Sequence, residues 1–253
     1  MAKKKKKQDK SLILRSIIAA LAGVLLLTGL AIGMRPKDEP TPPRSTEPTI
    51  PASGKMSGID VSSHQGQIDW EKVAGSGVEF AIVRLGYRSY GDGALHIDQR
   101  AKENLEGARA VGLKVGAYFF SQALNEEEAR TEATLALGIL GDFKLDLPLA
   151  YDWEYVSEEA RTANVEPEQL VKCVHAFCGA VEAAGVQPMV YFNQDLANTR
   201  LDLSEIKEYP FWLAKYTEDL DFPQEVAFWQ HSDRGKVAGI EENVDLNWYW
   251  PKA

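Results

Sequence analysis

Residues 58–253 alternate short apolar runs with helical patterns, and this alternation limits the fold more than any other feature of the chain. Apolar runs of about four to eight residues fit buried strands. The segments between the early runs are helical in pattern and are followed by Gly112, Gly141 and Gly185, which favour helix ends. The predicted strands are Gly58–Val61, Phe80–Leu85, Lys114–Phe120, Leu149–Trp153, Gln187–Phe192, Phe211–Ala214, Val226–Gln230 and Asn243–Asn247, and the predicted helices are Arg100–Val111, Glu126–Leu140 and Pro167–Ala184.

Eight strands that alternate with helices predict an α/β fold in which a parallel sheet closes into a (β/α) barrel. The last two crossovers, residues 215–225 and 231–242, hardly accommodate full helices. We therefore expect an irregular barrel of eight mainly parallel strands with some outer helices missing. In barrels of this class, functional side chains gather at the carboxyl ends of the strands.

Asp152 and Glu154 come at the end of a short apolar strand, in the sequence Pro-Leu-Ala-Tyr-Asp-Trp-Glu. Residues two apart on a strand point to the same face, so the two carboxyl groups converge on one spot. Unpaired buried charge is costly, which makes a purely stabilising role a poor explanation for this pair. Like charges at short range raise one pKa, so one group can act as an acid near neutral pH. The arrangement suits cleavage of a glycosidic bond.

Other predicted strand ends carry acids, aromatic residues and amides. Asp60 ends the first strand, and Asp245 with Asn247 ends the eighth. The candidate catalytic residues are Asp60, Asp152, Glu154 and Asp245. The candidate substrate-binding residues are Tyr118, Tyr191, Trp212, Tyr216, Gln230 and Asn247. Sugars stack on aromatic faces, but barrels also pack aromatic side chains in their cores, so the aromatic candidates fit either role.

The first 56 residues follow a different pattern. Residues 1–15 are basic, residues 16–34 run nineteen positions without a charge, and residues 35–56 form a proline-rich linker. About 20 apolar residues span a bilayer as a helix, whereas the apolar region of a signal peptide is shorter. We expect an uncleaved transmembrane signal-anchor at the cell membrane, with a cytoplasmic N-terminus and an extracytoplasmic domain of residues 57–253. The alternative is a cleaved signal peptide and a secreted domain.

Charge divides unevenly along the chain. Residues 1–35 hold eight basic residues and one acidic residue, and the whole chain has a net charge of −9, so the remainder carries about −16. A domain this acidic is a poor candidate for nucleic-acid binding.

The cysteines and histidines predict neither a disulfide nor a metal centre. Cys173 and Cys178 lie in one predicted helix, on different faces, which is a poor geometry for a disulfide. His64 and His231 could join the acids in a mixed metal site, but the chain has no paired spacing such as His-x-x-x-His. We expect no metal and no other cofactor.

Six segments together resemble glycoside hydrolase family 25, the Chalaropsis-type lysozymes, over about residues 57–250. They are Gly58-Ile-Asp-Val-Ser-Ser-His-Gln-Gly66, Ala150-Tyr-Asp-Trp-Glu154, Pro188-Met-Val-Tyr191, Phe211-Trp-Leu-Ala-Lys-Tyr216, Trp229-Gln230 and Val244-Asp-Leu-Asn247. Two stretches depart from the family. Arg84-Leu-Gly-Tyr-Arg88 lacks a glutamate that many members carry after the second strand, and Tyr118-Phe-Phe120 replaces a Tyr-His-Phe run. The departures put details of sugar contact in doubt.

The resemblance implies a net-retaining muramidase on an irregular barrel, which cleaves the β-1,4 bond between N-acetylmuramic acid and N-acetylglucosamine in peptidoglycan. It makes Glu154 the general acid. Asp152 would either position the substrate acetamide or act on the developing positive charge as stabiliser or nucleophile, and Asp60 and Asp245 would complete the acidic cluster.

Two other classes of function compete with this interpretation. A non-catalytic module could tether the membrane to wall glycan, and a metal-dependent hydrolase could use a similar barrel. The intact acid set favours the enzyme, which we expect to act as a monomer on peptidoglycan glycan strands.

Overall fold

The computed structural model describes residues 54–251, and they form a closed barrel. The strands are β1 (Met56–Val61), β2 (Phe80–Arg88), β3 (Leu95–Ile97), β4 (Lys114–Ser121), β5 (Leu149–Trp153), β6 (Pro188–Asn193), β7 (Phe211–Ala214), β8 (Phe228–Gly235) and β9 (Val244–Tyr249). The helices are α1 (Trp70–Gly75), α2 (Ala101–Ala110), α3 (Glu126–Leu140), α4 (Pro167–Ala183) and α5 (Gln194–Thr199), with 3₁₀ turns at Ser63–Gln65 and Leu203–Ile206.

Eight of the nine strands make the barrel wall, in the order β1-β2-β4-β5-β6-β7-β8-β9, and β9 returns to β1. Neighbours are parallel from β1 to β8, whereas β9 is antiparallel to both β8 and β1. This confirms the predicted irregular barrel of eight mainly parallel strands. The short strand β3, which pairs with the end of β2 as a hairpin outside the wall, was not predicted.

The direction of β9 corrects the prediction for Asp245 and Asn247. These residues were expected at the carboxyl end of the last strand, but they are the second and fourth of the six residues of β9, and neither ends it. Because β9 runs in reverse, its beginning reaches the same rim as the carboxyl ends of the other wall strands, and Asp245 lies opposite Asp60 in the ladder. The prediction was wrong about the strand end and still placed both residues on the mouth side of the barrel.

Local sequence signals explain the three long helices, which agree with the predicted ones to within one residue at either end. The side chain of Asn125 accepts a hydrogen bond from the backbone N–H of Glu128 and so caps α3. Pro167 occupies the first turn of α4, where its missing N–H costs nothing. The segments 215–225 and 231–242 are fully described and contain no helix, as predicted.

Two apolar clusters hold the barrel. The larger lies between the outer strand faces and the helices and includes Cys173 and Cys178, which are buried and free, as the sequence predicts. The smaller fills the barrel interior with Phe80, Ile82, Leu147, Ala150, Met189, Tyr191, Trp212, Ala214 and Phe228. Gly58 is required beside Phe80, because a Cβ atom at this position would lie 2.3 Å from the ring.

The predicted basic segment and anchor, and all but the last three residues of the predicted linker 35–56, lie outside the described residues. Within residues 54–251, no helix has the length and apolar character needed to cross a bilayer.

Candidate active site

The four candidate acids meet at the barrel mouth. Asp60 lies near the end of β1, Asp152 near the end of β5, and Glu154 one residue past β5. The other three lie near Asp60, whose charge raises the pKa of Asp152, of Glu154 and of Asp245. The structure therefore brings together the whole candidate catalytic set, including residues almost 200 positions apart in sequence.

Asp60 is the acid with the most hydrogen-bond donors. Its Oδ2 accepts hydrogen bonds from Gln230 Nε2 at 2.9 Å and from Asn247 Nδ2 at 2.7 Å. Burial raises the pKa of Asp60, but the hydrogen bonds from Gln230, Asn247 and Asp245 act in the opposite direction. Hydrogen bonds to the charged form favour ionisation, so Asp60 is the acid of this group best suited to hold a negative charge.

The two amides that bind Asp60 are themselves fixed in orientation. The Oε1 of Gln230 accepts hydrogen bonds from the hydroxyls of Tyr191 at 3.1 Å and Tyr216 at 3.0 Å. Asn247 Oδ1 accepts from Trp212 Nε1 at 2.8 Å. Because each amide oxygen is occupied by donors, each NH₂ group faces Asp60.

Asp152 has the opposite surroundings. It is buried, and among the described residues no donor lies within hydrogen-bond distance of its Oδ1. Burial raises the pKa of Asp152 well above the ordinary value, and the charges of Glu154 and Asp60 raise it further, against an opposing effect of Arg84. A buried polar atom without a partner calls for an explanation, and a ligand that supplies a donor is one.

Glu154 and Asp245 also hold protons more tightly than exposed acids do. Burial raises the pKa of Glu154, the charge of Asp60 raises it further, and the nearby Tyr191 hydroxyl opposes the rise. Burial, followed by the charge of Asp60, raises the pKa of Asp245 to about 8. Near neutral pH the cluster therefore carries fewer negative charges than it has carboxyl groups, which leaves protons available for transfer.

Three adjoining depressions form a groove across the mouth. The first, of about 820 Å³, is lined by residues of the β2–β3 hairpin and by Tyr155 and Val156. The second, of about 420 Å³, lies beside Tyr191 and Asn193, and Glu154 lines both. The third, of about 580 Å³, reaches Trp229 and Trp248 and shares Tyr216 with the second. Glu154 thus lies at a junction within the groove.

The six candidate substrate-binding residues do not share one environment. Tyr216 is exposed and lines the groove, and Tyr191 lines it from a buried position. Trp212, Gln230 and Asn247 are buried below the acids, with their polar atoms bonded to one another or to Asp60. Tyr118 is partly buried and packs edge-on against Trp212, with ring centroids 6.1 Å apart.

A buried residue that the sequence did not indicate also contacts the site. Gln122 follows β4 and donates from Nε2 to the backbone carbonyl of Glu154 at 2.7 Å. A lone glutamine after a strand carries no signal of its own, and its partners lie 32 and 40 residues further along the chain. Among the described residues, no group of three His, Cys, Asp or Glu side chains is arranged to hold a metal ion.

Comparisons with known proteins find relatives of this chain. The protein YegX of Escherichia coli (strain K12) is 33% identical over 215 residues, which are 81% of this chain and 74% of that protein. The "Autolytic lysozyme" of Clostridium acetobutylicum is 28% identical over 193 residues, which cover 76% of this chain and 55% of that protein.

A solved structure is similar as well. The modular autolysin LytC from Streptococcus pneumoniae, in complex with a synthetic peptidoglycan ligand, has a TM-score of 0.68 and 30% identity, and the alignment covers 77% of this chain and 47% of that one. This chain thus spans about half of LytC and of the autolytic lysozyme. The family model described as glycosyl hydrolases family 25 matches residues 59–240. The chain belongs to glycosyl hydrolases family 25.

Proposed function

We propose that this protein is a lysozyme-type muramidase that hydrolyses the β-1,4 bond between N-acetylmuramic acid and N-acetylglucosamine in peptidoglycan. The observation that carries the proposal is the position of Glu154, a carboxyl with a raised pKa at the junction of the groove, beside three further acids. The names of two relatives, an autolytic lysozyme and an autolysin bound to a peptidoglycan ligand, support the same substrate.

Glu154 is the general acid in this proposal. Protonation of the leaving glycosidic oxygen requires a carboxyl that still holds its proton near neutral pH. Burial raises the pKa of Glu154 in that direction. Its place at the junction of two depressions would let a glycan strand lie across it, with sugars on both sides of the bond that is cleaved.

Asp152 is proposed to hold the acetamide of the substrate. Its Oδ1 is the buried oxygen without a donor among the described residues, and the N–H of an acetamide would supply one. Substrate-assisted routes of this kind are recognised exceptions to the scheme with two protein carboxylates. The alternative, in which Asp152 attacks the sugar as a nucleophile, requires it to ionise fully beside Glu154 and Asp60, which raise its pKa.

Asp60 supplies negative charge opposite the oxocarbenium-like transition state, because Gln230 and Asn247 stabilise its ionised form. Asp245, its neighbour across the ladder, holds a proton near neutral pH and limits the repulsion. Tyr216 and Tyr191 are the groove residues proposed to contact sugar. Trp212, Gln230, Asn247 and Tyr118 are proposed to support the acids from below.

The proposal extends to the setting in which the enzyme works. The uncharged run at residues 16–34 supports a signal-anchor that holds a monomeric domain outside the cell membrane, next to peptidoglycan. Fractionation of cells that express the full chain, followed by protease protection of the domain, tests this part. Release of a shortened domain into the medium would instead indicate a cleaved signal peptide.

The reaction is tested by digestion of purified peptidoglycan with the full-length protein, followed by mass analysis of the new reducing ends. New N-acetylmuramic acid ends are the expected result. New N-acetylglucosamine ends would retain a glycosidase and reverse the assignment of the bond. Absence of products from a folded protein that still binds the glycan would favour a non-catalytic wall-binding module.

A further inference from the structure

Gln122 occupies a fully buried position beside the chain segment that carries Glu154. Its side chain is completely enclosed, as is that of Thr162 next to it. The Nε2 group donates to the backbone carbonyl of Glu154 at 2.7 Å and to that of Ser121 at 3.0 Å. Carbonyl oxygens can only accept, so the NH₂ group must face them, and Oε1 accepts from the Thr162 hydroxyl at 2.8 Å.

Glu154 needs such a contact because it lies beyond the sheet ladder. The last paired residues of β5 are Asp152, opposite Tyr191, and Trp153, opposite Ser121. Neither neighbouring strand pairs with Glu154, and the chain beyond it is an irregular segment with exposed Tyr155 and Val156. The amide of Gln122 therefore supplies the hydrogen bond to the Glu154 carbonyl that a neighbouring strand would otherwise supply.

Gln122 is itself held by a partly buried ion pair. Its backbone carbonyl accepts from Arg161 Nη1 at 3.0 Å, and the guanidinium of Arg161 binds both carboxylate oxygens of Glu128 at 2.8 Å. Bidentate pairs of this type are among the strongest hydrogen-bonded contacts in proteins. A second contact lies nearby, where Trp153 Nε1 donates to the backbone carbonyl of Ala123 at 3.1 Å. The segment 121–123 thus contacts residues 153 and 154 and is itself hydrogen-bonded to Arg161.

We propose that Gln122 is a positioning residue, which fixes the backbone of Glu154 so that its carboxyl stays partly buried at the junction of the groove. The inference rests on the proposed role of Glu154 as general acid. Gln122 touches neither the groove nor a reacting atom, and it acts only through the main chain of Glu154. Supporting residues of this kind matter because a displacement of about 1 Å at a catalytic group can reduce a rate about 10²-fold.

The test is the change Gln122→Met, which keeps the length of the side chain and removes its donor and acceptor. We expect kcat to fall about 10- to 100-fold with a change of less than about threefold in KM, since the groove is untouched. We also expect the alkaline limb of the rate profile to move to lower pH. A Glu154 carboxyl that becomes more exposed to water loses the main cause of its raised pKa, which is removal from solvent.

Asn104→Leu is the control for loss of a buried amide elsewhere, because Asn104 lies in α2 and its Nδ2 has no hydrogen-bond partner among the described residues. It should affect thermal stability without moving the pH profile. Thr162→Val, which removes only the donor to Gln122 Oε1, should give a smaller shift in the same direction. If Gln122→Met fails to fold, the pH profile of Thr162→Val decides the question, and an unchanged profile would overturn the inference.

Two results count against a positioning role. Gln122→Met with wild-type kcat and pH profile would contradict it, and so would a loss of activity accompanied by an unmoved alkaline limb, as expected for a purely structural residue. The positioning role is tested separately from the proposed function by ¹³C NMR titration of Glu154 in the wild-type protein and in Gln122→Met. A lower midpoint in the variant supports positioning even if the wild type cleaves no peptidoglycan, and equal midpoints overturn it.

Discussion

The two ends of the barrel interior differ in the side chains that the wall strands place there: the base is apolar and the mouth is acidic. At the base, Phe228 and Tyr249 stack with centroids 4.2 Å apart, and Phe80 meets both rings edge-on. At the mouth, Asp60 and Asp245 come from the strands next to these rings and are raised in pKa by burial. The base gains stability from apolar contact, whereas the mouth loses stability by removing acids from water.

This difference shows how one sheet can supply both a scaffold and a reactive centre. Every second residue of a wall strand points inward, so β9 places Asp245 at the mouth and Tyr249 at the base. The stability lost by burying acids at the mouth is tolerated only because contacts elsewhere in the fold outweigh it. Changes at the two ends should therefore have opposite signatures, one on rate and the other on stability.

The largest effect should come from Glu154→Gln at the mouth. An amide cannot donate a proton to the leaving oxygen, so the rate of peptidoglycan hydrolysis should fall about 10²- to 10⁴-fold. The melting temperature should stay equal to or above that of the wild type, because a side chain that cannot ionise replaces an acid whose pKa is raised by partial removal from water. Glu168→Gln, at an exposed position in the first turn of α4, is the control and should leave the rate unchanged.

If Glu154→Gln keeps a rate within threefold of the wild type, Glu154 is not the general acid. The mouth would then have no assigned catalytic residue to set against the apolar base. Deamidation back to glutamate must be excluded by mass spectrometry of the purified variant.

At the base, Phe80→Ala should act mainly on stability. Removal of a fully buried aromatic side chain leaves a cavity and should lower the free energy of unfolding by about 3–5 kcal/mol. The folded fraction should keep a kcat within about tenfold of the wild type, since no acid touches Phe80. Urea denaturation gives the first quantity, and rates at low temperature give the second. If Phe80→Ala keeps its stability and loses its activity, the claim that the base acts on stability and the mouth on rate is contradicted.

A smaller effect, of opposite sign, should follow Asp245→Asn. The folded-state pKa of Asp245 is about 8 and lies above the ordinary value, so the stability linked to this proton is complete below about pH 4 and is lost as pH rises to about 8. Asparagine does not titrate. The melting temperature should therefore rise at pH 8, by about 2–4 °C for each kcal/mol regained, and should not rise at pH 4.

Differential scanning calorimetry at both pH values checks this, with Asp219→Asn at an exposed position as the control. An equal gain for Asp245→Asn at pH 4 and pH 8 would mean that the proton of Asp245 is unrelated to its effect on stability.

Much of this architecture was predictable because strand periodicity and chain alternation are local. The eight wall strands, the three long helices and the two crossovers without helices follow from apolar runs, caps and segment length. The direction of β9 does not follow, because a pattern of period two reads the same in both directions. The sequence therefore assigned Asp245 and Asn247 to the barrel mouth correctly but to the wrong end of the last strand.

What the sequence could not indicate depends on contacts across long separations. Leu95–Ile97 is too short and too mixed in polarity to predict the strand β3. The contact of Gln122 with Glu154 joins segments 32 residues apart, and no local pattern marks it. Whether Trp212 and Tyr216 lie in the core or face the groove depends on their exposure in the folded protein. Trp212 is buried and Tyr216 is exposed.

The most direct test of the account is the pH dependence of kcat/KM of the full-length protein on soluble peptidoglycan fragments. Glu154 must hold a proton to act, and burial raises its pKa. The rate should therefore persist above the ordinary pKa of a glutamate and fall on the alkaline side, and the fall should be absent from the residual activity of Glu154→Gln. A rate that rises steadily above pH 9, or an alkaline limb that Glu154→Gln retains unchanged, would contradict the claim that Glu154 is the acid of this site.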